Sequence, residues 1–154
     1  MSPVPGTGTE PTGGVFRRIV VAYDDSPQAR RALERATVLA RNHGTQLITV
    51  VVQAHLPRHA ATMGEVEEEI VVQERAVRPW LAAARAFADE YGVQLTVENR
   101  AGPVARELVR AADKVHADLI VLGRRGRRVP WVPHLRSTAR QVSRRASCPV
   151  LIVR

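Results

Sequence analysis

At 154 residues, 45% of them hydrophobic, the chain has the length of one domain and enough apolar side chain for a core that needs no disulfides. Its single cysteine, Cys148, excludes a disulfide framework and a thiolate zinc cluster. The net charge of +8 is confined: residues 1–123 hold 14 Lys and Arg against 15 Asp and Glu, whereas residues 124–154 hold nine Arg and no acid.

The first fifteen residues are mostly Ser, Thr, Pro and Gly and have no apolar run, so a disordered tail is expected over 1–15 and a folded domain over 16–154. No basic start followed by a hydrophobic stretch marks a signal peptide, and no run reaches the length of a membrane span. Cys148, beside Pro149 in an apolar run, reads as an inert core residue, and a reducing, cytoplasmic setting is the expectation.

Arg17 to Tyr23 reads as a short strand apolar on both faces, as in a central parallel strand covered by helices on each side. It ends at Asp24-Asp25-Ser26-Pro27, where Ser26 is an N-cap and Pro27 suits the first helical position. The helix carries Ala32, Leu33, Ala36, Leu39 and Ala40 on one stripe and closes at Gly44. Thr45 to Gln53, rich in β-branched residues, is the second strand, and Ala54 to Ala61, with Pro57 inside, is loop. Thr62 and Glu65 have capping-box spacing and open a long helix to about Tyr91. Its inward stripe is Val66, Ile70, Val77, Leu81, Ala84, Ala88 and Tyr91, and Pro79 predicts a kink or break near Arg75 to Pro79.

Gly92 ends that helix, Val93 to Glu98 read as a third strand, and Gly102-Pro103 lead into a helix with Val104, Leu108, Ala111 and Val115 inward. Asp118 to Leu122 is a fourth strand, stopped by Gly123-Arg124-Arg125-Gly126. A helix follows from about Ser137 to Ala146, and Pro149 to Val153 form a last, edge strand. The alternation predicts an α/β fold, an open five-stranded parallel sheet with helices on both faces, Rossmann-like in connection. Ligands of such sheets bind beyond the strand carboxyl ends, where Asp24 to Ser26, the loop after Val52, and Gly123 to Ser137 all lie. A glycine-marked basic loop running into a helix N-terminus suits phosphate.

Three stretches, IVVAYDDSP at Ile19 to Pro27, DLIVLGRRG at Asp118 to Gly126 and SCPVLIV at Ser147 to Val153, together resemble the universal stress protein family over residues 16–154. The ATP-binding branch of that family carries Gly-x-x-Gly, nine residues, then Gly-Ser or Gly-Thr. Here Gly123, Gly126 and Ser137 are in register, and Arg136 replaces the third glycine. The resemblance implies a site for ATP or a related adenine nucleotide made of Ala22, Tyr23, Asp24, Val52, Leu122, Gly123, Arg124, Gly126, Arg136, Ser137 and Thr138. Within it Asp24 approaches the nucleoside, Val52 the adenine edge, the two glycines the ribose and phosphates, and Ser137 the phosphate chain. Asp24 holding Mg²⁺ on those phosphates is a secondary expectation. The resemblance also implies a homodimer paired through Val150 to Val153.

Each of these residues has a plainer reading. Asp24 can serve the strand-to-helix turn alone, Gly123 and Gly126 can be turn glycines, and Ser137 caps a helix whatever else it does. Arg136 brings a Cβ that obstructs a phosphate if glycine is needed there, or a guanidinium that grips one if it is not. Arg124, Arg125, Arg127 and Arg128 form a solvated surface or attract a polyanion, with Trp131 available to stack on a base. His55 and His59 straddle Pro57 without a third ligand, so no metal site is expected there. Three functions follow. The first is a stress-response regulator acting by nucleotide occupancy. The second is a slow ATPase or self-phosphorylating protein modified at Ser137 or Thr138. The third, less favoured, is an interaction protein whose basic region 124–154 contacts nucleic acid or an acidic protein.

Overall fold

The computed structural model describes residues 15–53, 62–124 and 137–154. Along them run β1 (Arg18–Ala22), α1 (Pro27–His43), β2 (Gln46–Gln53), α2 (Met63–Glu90), β3 (Leu95–Ala101), α3 (Val104–Lys114), β4 (Leu119–Gly123), α4 (Thr138–Arg145) and β5 (Val150–Val153). The expected tail over 1–14 and the loop 54–61, with His55, Pro57 and His59, lie outside the described residues, while Val15 is exposed.

The strands form one sheet in the order β3-β2-β1-β4-β5, and every pairing is parallel. In β1 the consecutive residues Ile19, Val20 and Val21 are all fully buried, because a central strand has a helical layer on each face. Ile19, Val21, Leu47 and Val51 pack against α1 and α2. Val20, Ile48, Val50, Ile120 and Leu122 pack on the other face under α3 and α4. The expected open parallel sheet with helices on both faces is the observed fold.

Local chemistry sets the helix ends. Ser26 accepts the Ala29 N–H at 3.1 Å to start α1, and Gly44, at φ 62°, ends it in a left-handed turn that glycine adopts without Cβ strain. The Thr62–Glu65 capping box forms in both directions, at 3.0 and 3.3 Å.

Three expectations need correction. First, of the expected kink or break at Pro79 the break is overturned, because α2 is one helix from Met63 to Glu90. The N–H that proline lacks is one bond, and Val77, Trp80, Leu81 and Ala84 on either side of it pack into the core. Second, Ile70 is not inward: it is 44% exposed, as are its neighbours Val71 and Val72 to equal or greater extent, and Val66 is only half-buried. The 28 residues of α2 span about 42 Å. The eight residues of β2 span only about 26 Å, so the first turns of α2 overhang the sheet. Third, β3 begins at Leu95 and extends to Ala101, not Val93 to Glu98, because its ladder with β2 runs in full from Leu47↔Leu95 to Gln53↔Ala101.

Candidate functional site

The chain fills the sheet from β1 through β2 to β3 on one side, then crosses to β4 and β5 on the other. Connections leaving the carboxyl ends of β1 and β4 therefore diverge, which opens a crevice between them. The pairings Val21↔Val121 and Ala22↔Val50 bring Ala22, Tyr23 and Asp24 level with Leu122 and Gly123, with Val52 just beyond on β2. Ser137 and Thr138 begin α4 on the same side of the sheet. Gly126 and Arg136 lie outside the described residues, as do Arg125, Arg127, Arg128 and Trp131.

The turn after β1 is closely tied. Asp24 Oδ1 accepts the Ser26 N–H at 3.0 Å, an Asx turn that sets up the N-cap. Asp25 sits at φ 61°, a left-handed position aspartate tolerates, and its Oδ1 accepts from the Tyr23 hydroxyl and from Arg30 Nε, each at 3.0 Å. Burial, then the hydrogen bond to Asp25 and its charge, push the Tyr23 phenol up to about 12, with Arg30 pulling the other way. The side chains of Tyr23 and Leu122 are both in the core, so each can offer a ligand little more than backbone.

Gly123 has a steric reason to be glycine. A Cβ there would come within 2.7 Å of Gln28 Cβ and 2.8 Å of the Gln28 carbonyl, because the first turn of α1 presses on the end of β4. Next to it, Arg124 donates its N–H to the Val153 carbonyl at 2.7 Å and is exposed. Ser137 accepts the Arg140 N–H at 3.2 Å and caps α4. Arg124, Ser137, Arg140, Ser143, Ile152 and Arg154 line a cleft of about 590 Å³ between α4 and β5.

Two features escaped the sequence reading. Gln53, which closes β2 beside Val52, has its amide nitrogen buried without an acceptor among the described residues. A polar residue at the end of a β-branched strand was the only signal for it. Arg154 joins the cleft through the sheet register, which no local pattern announces. Cys148 behaves as expected: burial, aided by Asp113, raises its thiol above the ordinary value and leaves it less reactive. Among the described residues no group of three or more His, Cys, Asp or Glu could hold a metal ion, and no helix is long and apolar enough to cross a membrane.

The model of the universal stress protein family matches residues 16–154. The chain belongs to the universal stress protein family. A Thermus aquaticus universal stress protein is 33% identical over 140 residues, covering 91% of this chain and all of the relative. Among solved structures, universal stress protein UspA from Lactobacillus plantarum superposes with a TM-score of 0.77 at 25% identity, covering 90% of this chain and 98% of that one. A universal stress protein solved in complex with cAMP is 26% identical with a TM-score of 0.70, covering 90% of this chain and 97% of that one.

Proposed function

We propose that this universal stress protein binds an adenine nucleotide of the ATP class in the crevice between the carboxyl ends of β1 and β4, and acts as a stress-response regulator by occupancy of that site. The observation that carries the reading is the pairing, at one topological switch point, of a capped helix N-terminus at Ser137 with the exposed Arg124. Backbone donors, a helix dipole and cationic side chains together favour phosphate. The relative solved with cAMP supports an adenine ligand. In this reading Asp24 and Val52 face the nucleoside, Gly123 and Gly126 present backbone to ribose and phosphate, and Ser137 and Thr138 hold the phosphate chain. The setting is the reducing cytoplasm.

Calorimetry with ATP, with and without Mg²⁺, tests the reading, and no heat at millimolar nucleotide sinks it. Asp24→Asn keeps the acceptor for the Ser26 N–H and Asp24→Ala removes it; if Asn binds ATP as wild type does while Ala does not, Asp24 serves the turn alone. Arg136→Gly raises affinity if the arginine obstructs the phosphates and lowers it if the arginine grips them. Phosphate release measured in the same samples tests slow turnover.

The free edge of β5 supports a homodimer. Leu151 and Ile152 are each 39% exposed, and among the described residues the strand pairs only with β4. Leu151→Asp with Ile152→Asp is expected to give a monomer in sedimentation. The exposed Arg144 and Arg145 on α4 favour nucleic acid as the second reading. Binding to DNA that weakens steeply with salt supports it, and a flat salt response rejects it.

A further inference from the structure

We propose that the amino-terminal end of the sheet carries a second binding site, a groove between β1, β2, β3 and the end of α3 that takes a short-chain dicarboxylate. It lies at the opposite pole from the crevice at the strand carboxyl ends, and it stands whether or not a nucleotide binds there.

The sheet register builds the groove. Arg18 pairs with Gln46, Ile48 with Thr96 and Val50 with Glu98, so Arg18, Gln46, Ile48, Thr96 and Glu98 share the face that α3 covers. α3 stops at Lys114, and the chain then turns through His116 toward β4. A groove of about 310 Å³ remains, lined by these strand residues and by Lys114, Val115 and His116.

The charges in it suit an anion with two ends. Lys114 is held over β3 by Glu98, whose Oε1 accepts its Nζ at 3.2 Å. Glu98 Oε2 accepts from Arg100 at 3.3 Å, so both oxygens are engaged and the acid offers little to a cationic ligand. An ammonium has three donors and Glu98 takes one. Arg18 stands at the start of β1, on the far side of β2, and no ion pair among the described residues engages it or His116. Between the two cations lie the buried Ile48, the half-buried Val115 and the polar side chains of Gln46 and Thr96. The planar fork of an arginine suits one carboxylate, the ammonium suits a second, and the apolar pair suits the carbon chain between them. A compact anion such as inorganic phosphate meets one of the cations at a time.

His116 is an independent sign. It sits at φ 51°, a left-handed position after a helix where glycine is the ordinary residue. The backbone closes α3 without the imidazole: the N–H groups of Val115, His116 and Ala117 donate to the carbonyls of Ala111, Asp113 and Ala112 at 3.2, 3.1 and 2.9 Å. Those bonds also blunt the negative end of the helix toward an anion. A side chain carried at a conformational cost where the cap does not need it, and exposed on the groove, is placed to donate an N–H to a carboxylate.

The test titrates succinate, acetate and inorganic phosphate into the full chain by calorimetry, with amide chemical shifts followed by NMR to place the contact. Succinate is expected to bind with a Kd of about 1 mM or tighter, at least about tenfold tighter than acetate or phosphate. It should shift the amides of Arg18, Gln46, Thr96 and His116 and leave Arg124 and Ser137 unmoved. Arg18→Gln and His116→Gly are each expected to weaken succinate by at least about fivefold. Arg17→Ala, exposed and outside the groove, should match wild type. His116→Gly places glycine in a left-handed turn, so its thermal midpoint should hold, which separates lost binding from lost folding. No succinate binding, succinate no tighter than acetate, or full affinity in both variants overturns the inference. So does an equal loss in Arg17→Ala, which marks a diffuse field, or shifts confined to Arg124 and Ser137, which mark the other pole.

Discussion

The two edges of the sheet treat their arginines in opposite ways. At the β3 edge, Glu107 is buried and takes Arg100 at 3.3 Å, Arg110 at 3.1 Å and Arg106 at 3.5 Å, while Glu98 takes Arg100 and Lys114 at 3.3 and 3.2 Å. Burial by itself would raise the Glu107 carboxyl; the Arg100 hydrogen bond and the charges of Arg110, Arg100 and Arg106 overcome it and hold the group below its ordinary value. At the β5 edge, no ion pair among the described residues engages Arg124, Arg140 or Arg154. A basic cluster closed by its own carboxylates is structure, and one without them keeps its charge toward solvent.

That contrast can be attacked from several sides. The largest change in stability is expected at the open edge's foundation rather than its charges. Gly123→Ala forces a methyl against the Gln28 backbone, and urea unfolding should show a loss of about 1–3 kcal/mol, together with weakened nucleotide binding as α1 and β4 separate. An unchanged midpoint would mean that α1 can shift freely. At the closed edge, Glu107→Gln removes the charge that three arginines share and should lower stability at neutral pH. Because the folded carboxyl titrates below its unfolded value of 4.5, its contribution is present above that pH and fades as pH falls further. The variant should therefore lose less than wild type on acidification, and parallel acid limbs would count against the network.

Between the edges, the β1 turn has its own closed knot, and Tyr23→Phe removes the hydroxyl that donates to Asp25, an expected loss of about 1 kcal/mol. With its folded value near 12 against 10.0 when unfolded, the phenol's stabilisation is complete below pH 10 and declines as pH rises toward 12. The variant should lack that alkaline decline when urea midpoints are followed with pH. The smallest stability effect belongs to Arg124→Ala, expected within about 0.5 kcal/mol of wild type because the side chain is exposed and no ion pair among the described residues engages it. Nucleotide affinity should nevertheless fall. Should stability fall and affinity hold, the assignment of roles to the two edges is reversed.

Much of this was legible before any coordinates. The capping signals at Ser26, Thr62 and Ser137 each act within one helical turn, so local spacing announced them and they formed. The stretches at Ile19 to Pro27, Asp118 to Gly126 and Ser147 to Val153 carried the family resemblance for the same reason, since each is a property of contiguous chain. Ile70 was misplaced because a stripe shows which side of α2 is apolar, not how far the sheet beneath it extends. β3 was misjudged because its end is set by a ladder with β2 and not by its own pattern. Gly123 looked like a loop glycine opening onto a ligand, and the pressure from Gln28, distant in sequence, was invisible.

Sequence alone determined an α/β fold with its positive charge gathered after β4, because periodicity, caps and composition act over short stretches, and three motif stretches carried the resemblance to the universal stress protein family. Only the tertiary structure decided which arginines are neutralised and which stand open. Arg100 meets Glu107 across a strand-to-helix turn, and Arg154 meets Arg124 across a parallel ladder. Pairings of that kind exist only once the sheet has set its order and the helices have taken their faces.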